Sequence, residues 1–145
     1  MMIEIQNLDT NSPLWKEVRA IRDEVFIVEQ EVSPEEEYDE FEESSRHFLA
    51  FWENQPAGTA RWRFTSNGIK LERFAVKKEF RMHGVGAALV QAVLNEVIPK
   101  AEKETLIYLH AQVQAIPFYA KANFETFGEE FVEADILHRK MRLIR

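Results

Sequence analysis

The chain has 145 residues, of which 46% are apolar and 30% are charged, a composition typical of a globular domain. Its 25 acidic and 18 basic residues give a formal net charge of -7, which disfavours nucleic acid as a partner because phosphate contacts require a basic surface. The sequence contains no cysteine, which excludes a disulfide scaffold, thiol catalysis and cysteine-ligated metal sites.

Length and patterning favour one domain over residues 1–145, without internal repeats or a long linker. The first residues, MMIEIQNLDT, lack the basic and apolar regions of a signal peptide. No segment contains the ~18 apolar residues that a membrane span needs. We therefore expect a cytoplasmic protein without a membrane partner.

The first half of the chain predicts a strand, a helix and three antiparallel strands. Residues 3–8 alternate as a strand does, and Ser12 and Pro13 are suited to the start of a helix that continues towards Gln30. Residues 31–45 are polar and acidic and indicate a loop with room for one helical turn. Three consecutive strands follow, and their turn signals are at 54–58 and 66–68.

The second half predicts a helix over 87–98 that ends at Pro99, a buried strand over 105–111 and a short helix over 116–122. Two strands follow from 124 to 144, joined by an acidic linker around 129–135. The strand–helix–strand unit implies a right-handed crossover with parallel pairing, and the hairpins around it imply antiparallel pairing. The fold class is therefore α+β, a mixed, mostly antiparallel sheet with helices on both faces.

The stretch RMHGVGAA, residues 81–88, lies where a strand passes into a helix. The first N–H groups of a helix have no internal acceptor and bind anions, and Gly84 and Gly86 allow a ligand to approach the backbone closely. The stretch is therefore either a phosphate-binding loop or a tight turn. It lacks the lysine of GxxxxGK[ST], and Leu89 stands where GxGxxG has its third glycine, so P-loop and dinucleotide sites are disfavoured.

A second segment, HAQVQAIPFYAKANF, makes the loop more specific. Together with LERFAVKKEFRMHGVGAALV it resembles the acyl-CoA-binding core of the GCN5-related N-acetyltransferase (GNAT) family, whose loop is written Q/R-x-x-G-x-G/A. Gln112, Ala115 and Tyr119 match the second motif. Asn123 replaces its usual glycine, and asparagine tolerates the left-handed backbone that this glycine adopts. The order of strands and helices is also that of the family, and a bacterial subgroup of predicted acetyltransferases is most similar.

The resemblance implies an acetyl-CoA-dependent N-acyltransferase. An acetyl group would pass from acetyl-CoA, the co-substrate, directly to a primary amine in a ternary complex, without a metal. The acceptor would be a small-molecule or peptide amine, and a homodimer is compatible with the family. The alternative is a non-catalytic acyl-CoA-binding regulatory domain that has kept the loop and lost turnover.

The resemblance also implies which residues hold acetyl-CoA, through backbone amides of residues 82–88 at the pyrophosphate and through a strand beside the pantetheine arm. The implied binding residues are Phe74, Ala75, Val76, Arg81, Met82, His83, Gly84, Val85, Gly86, Ala87, Ala88, Gln112, Ala115 and Phe118. A main-chain N–H of residues 74–76 would polarise the thioester carbonyl. Tyr119 would protonate the departing thiolate, since phenol and thiol have similar pKa values.

The proton acceptor for the amine is not identified by a motif. Glu72 is the first candidate because its strand borders the site, and Glu29 and Glu31 are further acceptor-side candidates. Arg61 either faces the acceptor or pairs with the acidic segment EEEYDEFEE. A histidine on a buried strand is more often a hydrogen-bonded core residue than a catalyst, so His110 is read that way.

Overall fold

The computed structural model describes residues 2–145, which form a seven-stranded sheet and four α-helices. The strands are β1 (Ile3–Leu8), β2 (Arg46–Trp52), β3 (Gln55–Thr65), β4 (Gly68–Val76), β5 (Ile107–Gln112), β6 (Phe124–Glu133) and β7 (Ile136–Leu143). The helices are α1 (Trp15–Arg22), α2 (Pro34–Glu37), α3 (Val85–Val97) and α4 (Ile116–Ala120). A π-helical segment, Asp23–Glu29, continues α1.

The sheet has the strand order β1-β2-β3-β4-β5-β7-β6. β4 and β5 pair in parallel, as the helical crossover through α3 requires, and the other neighbours pair antiparallel. The prediction of a mixed, mostly antiparallel sheet is confirmed.

The helices cover both faces of the sheet, because successive side chains of a strand point to opposite faces. On β2, Phe48 belongs to the core beneath α3, and its neighbour Leu49 belongs to the core beneath α1. α4 packs on the α3 side through Ile116 and Tyr119. None of the helices in the described part of the chain is long and apolar enough to cross a membrane.

Three local predictions differ from the structure. Helix α3 begins at Val85, two residues early, because Gly84 precedes it in a left-handed conformation with φ 84°. The first hairpin turn is Glu53–Asn54, where both φ values are positive, and the segment 55–58 predicted as turn lies in β3. The prediction of an acidic linker at 129–135 is wrong, because β6 continues to Glu133 and only Ala134 and Asp135 connect it to β7.

Candidate active site

The two parallel strands at the centre of the sheet separate after a short paired stretch. Their last register pair joins Leu71 of β4 to Leu109 of β5. Just beyond it, Arg73 adopts φ 60°, and the β3–β4 register shifts by one residue, which defines a β-bulge. The end of β4 stays paired with β3 through Ala75 and Val76. Because β5 no longer pairs with it, the backbone of residues 74–76 presents an open edge to a cleft of about 620 Å³.

Helix α3 follows β4 after a connection of residues 77–84. Its first intrahelical hydrogen bond is donated by the N–H of Ala88 to the carbonyl of Gly84 at 3.0 Å. The N–H groups of residues 85–87 therefore precede the hydrogen-bonded turn and are available to an anion. A Cβ at Gly86 would lie 3.2 Å from Phe118 of α4 and 3.7 Å from Val76. Gly86 thus keeps a narrow passage between the helix start, the end of β4 and α4.

Tyr119 of α4 lines the same cleft. Its ring contacts Phe74, Phe118 and Phe124, with centroids 5.0 to 6.2 Å apart. Its hydroxyl makes no hydrogen bond within the described residues, 2–145. Burial among these aromatic rings removes water from the hydroxyl and raises the pKa of Tyr119 above its usual value. The phenol therefore stays protonated at neutral pH, as a proton donor must.

Arg81 and Glu29 form a bidentate ion pair across one side of the cleft, with N···O distances of 2.7 and 2.8 Å. The Nε–H of Arg81 also donates to the carbonyl of Val76 at 2.9 Å. The hydrogen bond from Arg81 lowers the pKa of Glu29. The ion pair joins a residue predicted to bind acetyl-CoA to one predicted to bind the acceptor.

Glu72 is the centre of a cationic cluster. Its carboxylate lies 2.8 Å from Arg61, 2.6 Å from Arg63 and 3.4 Å from Lys70, and Arg73 is 3.9 Å away. Burial alone would raise the pKa of Glu72, but these cations reverse that effect and lower it to about 2. A carboxylate stabilised so strongly in its ionised form is a poor proton acceptor at neutral pH.

Arg61 is fully buried, and its guanidinium contacts Asp39 as well as Glu72. The side chain of Arg61, predicted to bind the acceptor, therefore presents no accessible surface to a ligand in this structure. Its other reading, pairing with the acidic segment, is confirmed. These contacts lower the pKa of Asp39 to about 2.

Arginines of helix α1 and of the sheet hold the acidic segment in place. The fully buried Arg22 donates to Glu37 at 2.6 Å and to Glu42 at 2.8 Å. Arg73 donates to the carbonyl of Glu37 and to Asp39 at 3.1 and 3.3 Å. Several of the negative charges in EEEYDEFEE are thus neutralised inside the fold, and the segment forms a fixed wall beside the bulge of β4.

Two histidines that the sequence did not indicate as site residues line the cleft. Nδ1 of His110, on β5, lies 3.2 Å from a carboxylate oxygen of Glu133. His138 of β7 is nearly buried, and its Nδ1–H donates to the carbonyl of Ile136 at 2.7 Å. Both line the cleft together with Tyr119. The sheet order brings β5, β6 and β7 together, which the local sequence pattern alone does not reveal.

The structure gathers nine of the predicted site residues in the cleft and leaves the others outside it. Those that line the cleft are Glu29, Glu72, Phe74, Ala75, Val76, Arg81, Gln112, Ala115 and Tyr119. Gln112 also donates to the side chain of Gln30 at 2.9 Å. The loop 82–88 borders the cleft at the start of α3, where Met82 is 99% exposed and His83 stacks on Trp52. Glu31 is exposed and does not line the cleft.

No group of three or more histidine, aspartate and glutamate side chains within residues 2–145 is arranged to hold a metal ion.

The fold is shared with solved acyltransferases. An acyl-CoA N-acyltransferase from Pseudomonas aeruginosa superposes with a TM-score of 0.84 and 23% identity, over 99% of this chain and 100% of that one. An aminoglycoside 6′-N-acetyltransferase solved with coenzyme A gives a TM-score of 0.70 and 18% identity, over 98% of each chain. At these identities the likeness establishes the fold, which is that of the acyl-CoA N-acyltransferases.

The sequence comparisons identify the family. A sequence model described as an acetyltransferase (GNAT) domain matches residues 13–145. The Bacillus subtilis protein YjcF, an uncharacterized N-acetyltransferase, is 39% identical over 132 residues, which cover 90% of this chain and 93% of that protein. The chain belongs to the GNAT acetyltransferase family.

Proposed function

We propose that this protein is an acetyl-CoA-dependent N-acetyltransferase that acts, as one domain over residues 1–145, on a primary amine of a small molecule or a peptide. The observation that carries the proposal is the open edge of β4 at residues 74–76, which ends at the free N–H groups of α3 and faces Tyr119. An open strand edge, a phosphate-binding helix start and a proton donor together suit an acyl thioester on a phosphorylated carrier. The coenzyme A bound to the aminoglycoside acetyltransferase of the same fold supports this choice of donor.

The residues present fit coenzyme A. The pyrophosphate would be held by the N–H groups of residues 85–87, where the positive end of the α3 dipole adds to the attraction. The pantetheine arm would lie along residues 74–76, with its amides paired to the strand edge that β5 leaves open. Gly86 leaves room for its passage beside Phe118, since a Cβ at this position would already contact the ring.

The reaction is direct transfer. The nitrogen lone pair of a neutral amine forms a bond to the thioester carbon, and a main-chain N–H of residues 74–76 stabilises the negative charge that develops on the carbonyl oxygen. The carbon–sulfur bond then breaks, and Tyr119 donates its phenolic proton to the sulfur. The amine nitrogen loses one proton to the enzyme or to water, and the products are an amide and free coenzyme A.

The experiment is an acetylation screen of the purified protein with acetyl-CoA and spermidine, tyramine, L-lysine or a short peptide with a free N-terminus. Coenzyme A release is read with a thiol-specific chromophore, and the acetylated product by mass spectrometry. Because the chain has no cysteine, the protein contributes no thiol background. We expect product with at least one amine. Tight coenzyme A binding without turnover of any amine would contradict the enzymatic function and favour a non-catalytic acyl-CoA-binding domain.

A further inference from the structure

The proton acceptor for the amine is the part of the reaction that the motifs do not identify, and the position of His110 in the sheet addresses it. The last β4–β5 register pair is Leu71 and Leu109. Glu72 and His110 are the next residues on the two strands. Both leave the core face, because Leu71 and Leu109 point into the core and side chains alternate along a strand. His110 and Glu72 therefore flank the point at which the cleft opens.

Of these two residues, Glu72 is already neutralised. Arg61, Arg63 and Lys70 all lie within 3.4 Å of its carboxylate. A proton on Glu72 would leave these cations facing a neutral group, which makes protonation unfavourable. An imidazole, in contrast, exchanges a proton easily in the neutral pH range.

Glu133 orients the His110 ring. Its carboxylate can only accept a hydrogen bond in its ionised form, so Nδ1 of a neutral His110 carries the hydrogen, and Nε2 keeps a lone pair. Phe131 contacts the ring edge-on, with centroids 5.1 Å apart. The carboxylate also stabilises the imidazolium that forms when Nε2 takes a proton, the arrangement by which carboxylate–histidine pairs act as bases.

His138 is less suited to the same task. Its ring stacks on Phe131 at an interplanar angle of 22°, and the residue is 8% exposed. The His110 side chain is 19% exposed, and a carboxylate rather than a carbonyl holds it. His110 therefore combines access to the cleft with a negatively charged partner.

We propose that His110 is the general base of the acetyl transfer and that Glu133 is its positioning residue, an inference that rests on the proposed acetyltransferase function. As the amine nitrogen bonds to the thioester carbon, its N–H proton passes to Nε2 of His110. The carbon–sulfur bond breaks, and the sulfur takes the proton of Tyr119. The imidazolium then returns a proton through solvent to the tyrosinate, so that both residues regain their starting states.

Charged and titratable groups face His110 from the adjacent strands β4 and β7, from β6 beyond β7, and from its own strand. They are Lys70 and Glu72 on β4, Lys140 and His138 on β7, Glu133 on β6 and Tyr108 on β5. Among them, Glu133 is the group in hydrogen-bond contact with the ring. Its negative charge is opposite to that of the imidazolium and stabilises the protonated ring that forms during the transfer.

The test uses the full chain with the probe amine that the wild type acetylates best. We expect His110→Ala to lower kcat by about 100-fold, within the range for loss of a general base, and added imidazole to restore part of the rate. Glu133→Gln should shift the acidic limb of the kcat/KM profile to lower pH without changing the KM for acetyl-CoA. The control His138→Gln removes the other cleft imidazole and should keep the wild-type acidic limb.

Coenzyme A binding by calorimetry verifies that each variant is folded. Two results with a His110→Ala variant that binds coenzyme A would overturn the assignment. One is a wild-type kcat, and the other is a reduced kcat that added imidazole does not restore. If His110→Ala does not bind coenzyme A, the test rests on Glu133→Gln. An acidic limb of its kcat/KM profile at the wild-type pH would then overturn the assignment. These failures concern the base alone, whereas a wild type without turnover on any amine would contradict the acetyltransferase function itself.

Discussion

Replacing Glu72 with glutamine tests the reading of this residue as a structural ion-pair centre rather than a base. The substitution keeps the shape of the side chain and removes its charge. Arg61, which is fully buried, then loses one of the carboxylates that neutralise it. Removing one partner of a buried ion pair is strongly destabilising, because the remaining charge stays out of water.

The magnitude follows from the pKa of Glu72, which folding lowers from 4.5 to about 2. A difference of about 2.5 pKa units corresponds to roughly 3 kcal/mol of stability. Because the folded-state pKa is the lower one, this contribution is fully present above pH 4.5 and is lost as the pH falls towards 2. We therefore expect the variant to be about 3 kcal/mol less stable than the wild type at pH 7, and the difference to shrink between pH 4.5 and pH 2.

The assay is urea unfolding of both proteins at pH 7 and at pH 3, with the free energy of unfolding as the readout. Other carboxylates titrate in both proteins, so the difference between them isolates residue 72. The matched control is Glu104→Gln at an exposed position, expected to change stability by less than about 0.5 kcal/mol. A loss below about 1 kcal/mol at pH 7, or one that does not depend on pH, would refute the reasoning.

Two predictions concern the donor site. Gly86→Val places side-chain atoms against Phe118 and Val76. We expect the KM for acetyl-CoA in steady-state kinetics to rise at least about tenfold, equivalent to ~1.4 kcal/mol of binding. An unchanged KM would mean that the loop is a turn without a binding role. Tyr119→Phe removes the proposed acid and should lower kcat by about 100-fold while calorimetry shows unchanged coenzyme A affinity, and a wild-type kcat would exclude Tyr119 from the mechanism.

The features that local sequence determines were predicted well. Helix α3 follows from its apolar stripe, and the left-handed backbone expected at Asn123 is found, with φ 70°. The hairpin turn at 66–68 is also confirmed, since β3 ends at Thr65 and β4 begins at Gly68. In each case, neighbouring residues carry the signal, and no distant contact is needed to select the conformation.

The bulge of β4 has no such signal. Arg73 adopts a positive φ although it is neither glycine nor asparagine, and such a conformation costs free energy that surrounding contacts must offset. Those contacts come from Glu37 and Asp39, more than 30 residues earlier in the chain. The acidic segment therefore looks like a solvated loop in the sequence, and its role in holding the bulge becomes visible when the strands are assembled.

The same argument explains why Glu72 was the first candidate for the base. From the sequence alone, Glu72 is a carboxylate on a strand beside the active site, and the cations that lower its pKa are not apparent. Arg61 and Arg63 reach it through the pairing of β3 with β4, and Lys70 precedes it by two residues on the same face of β4. Because the cluster lowers the pKa of Glu72 to about 2, the amine proton needs another acceptor, and the residue that faces Glu72 where β4 and β5 separate is His110.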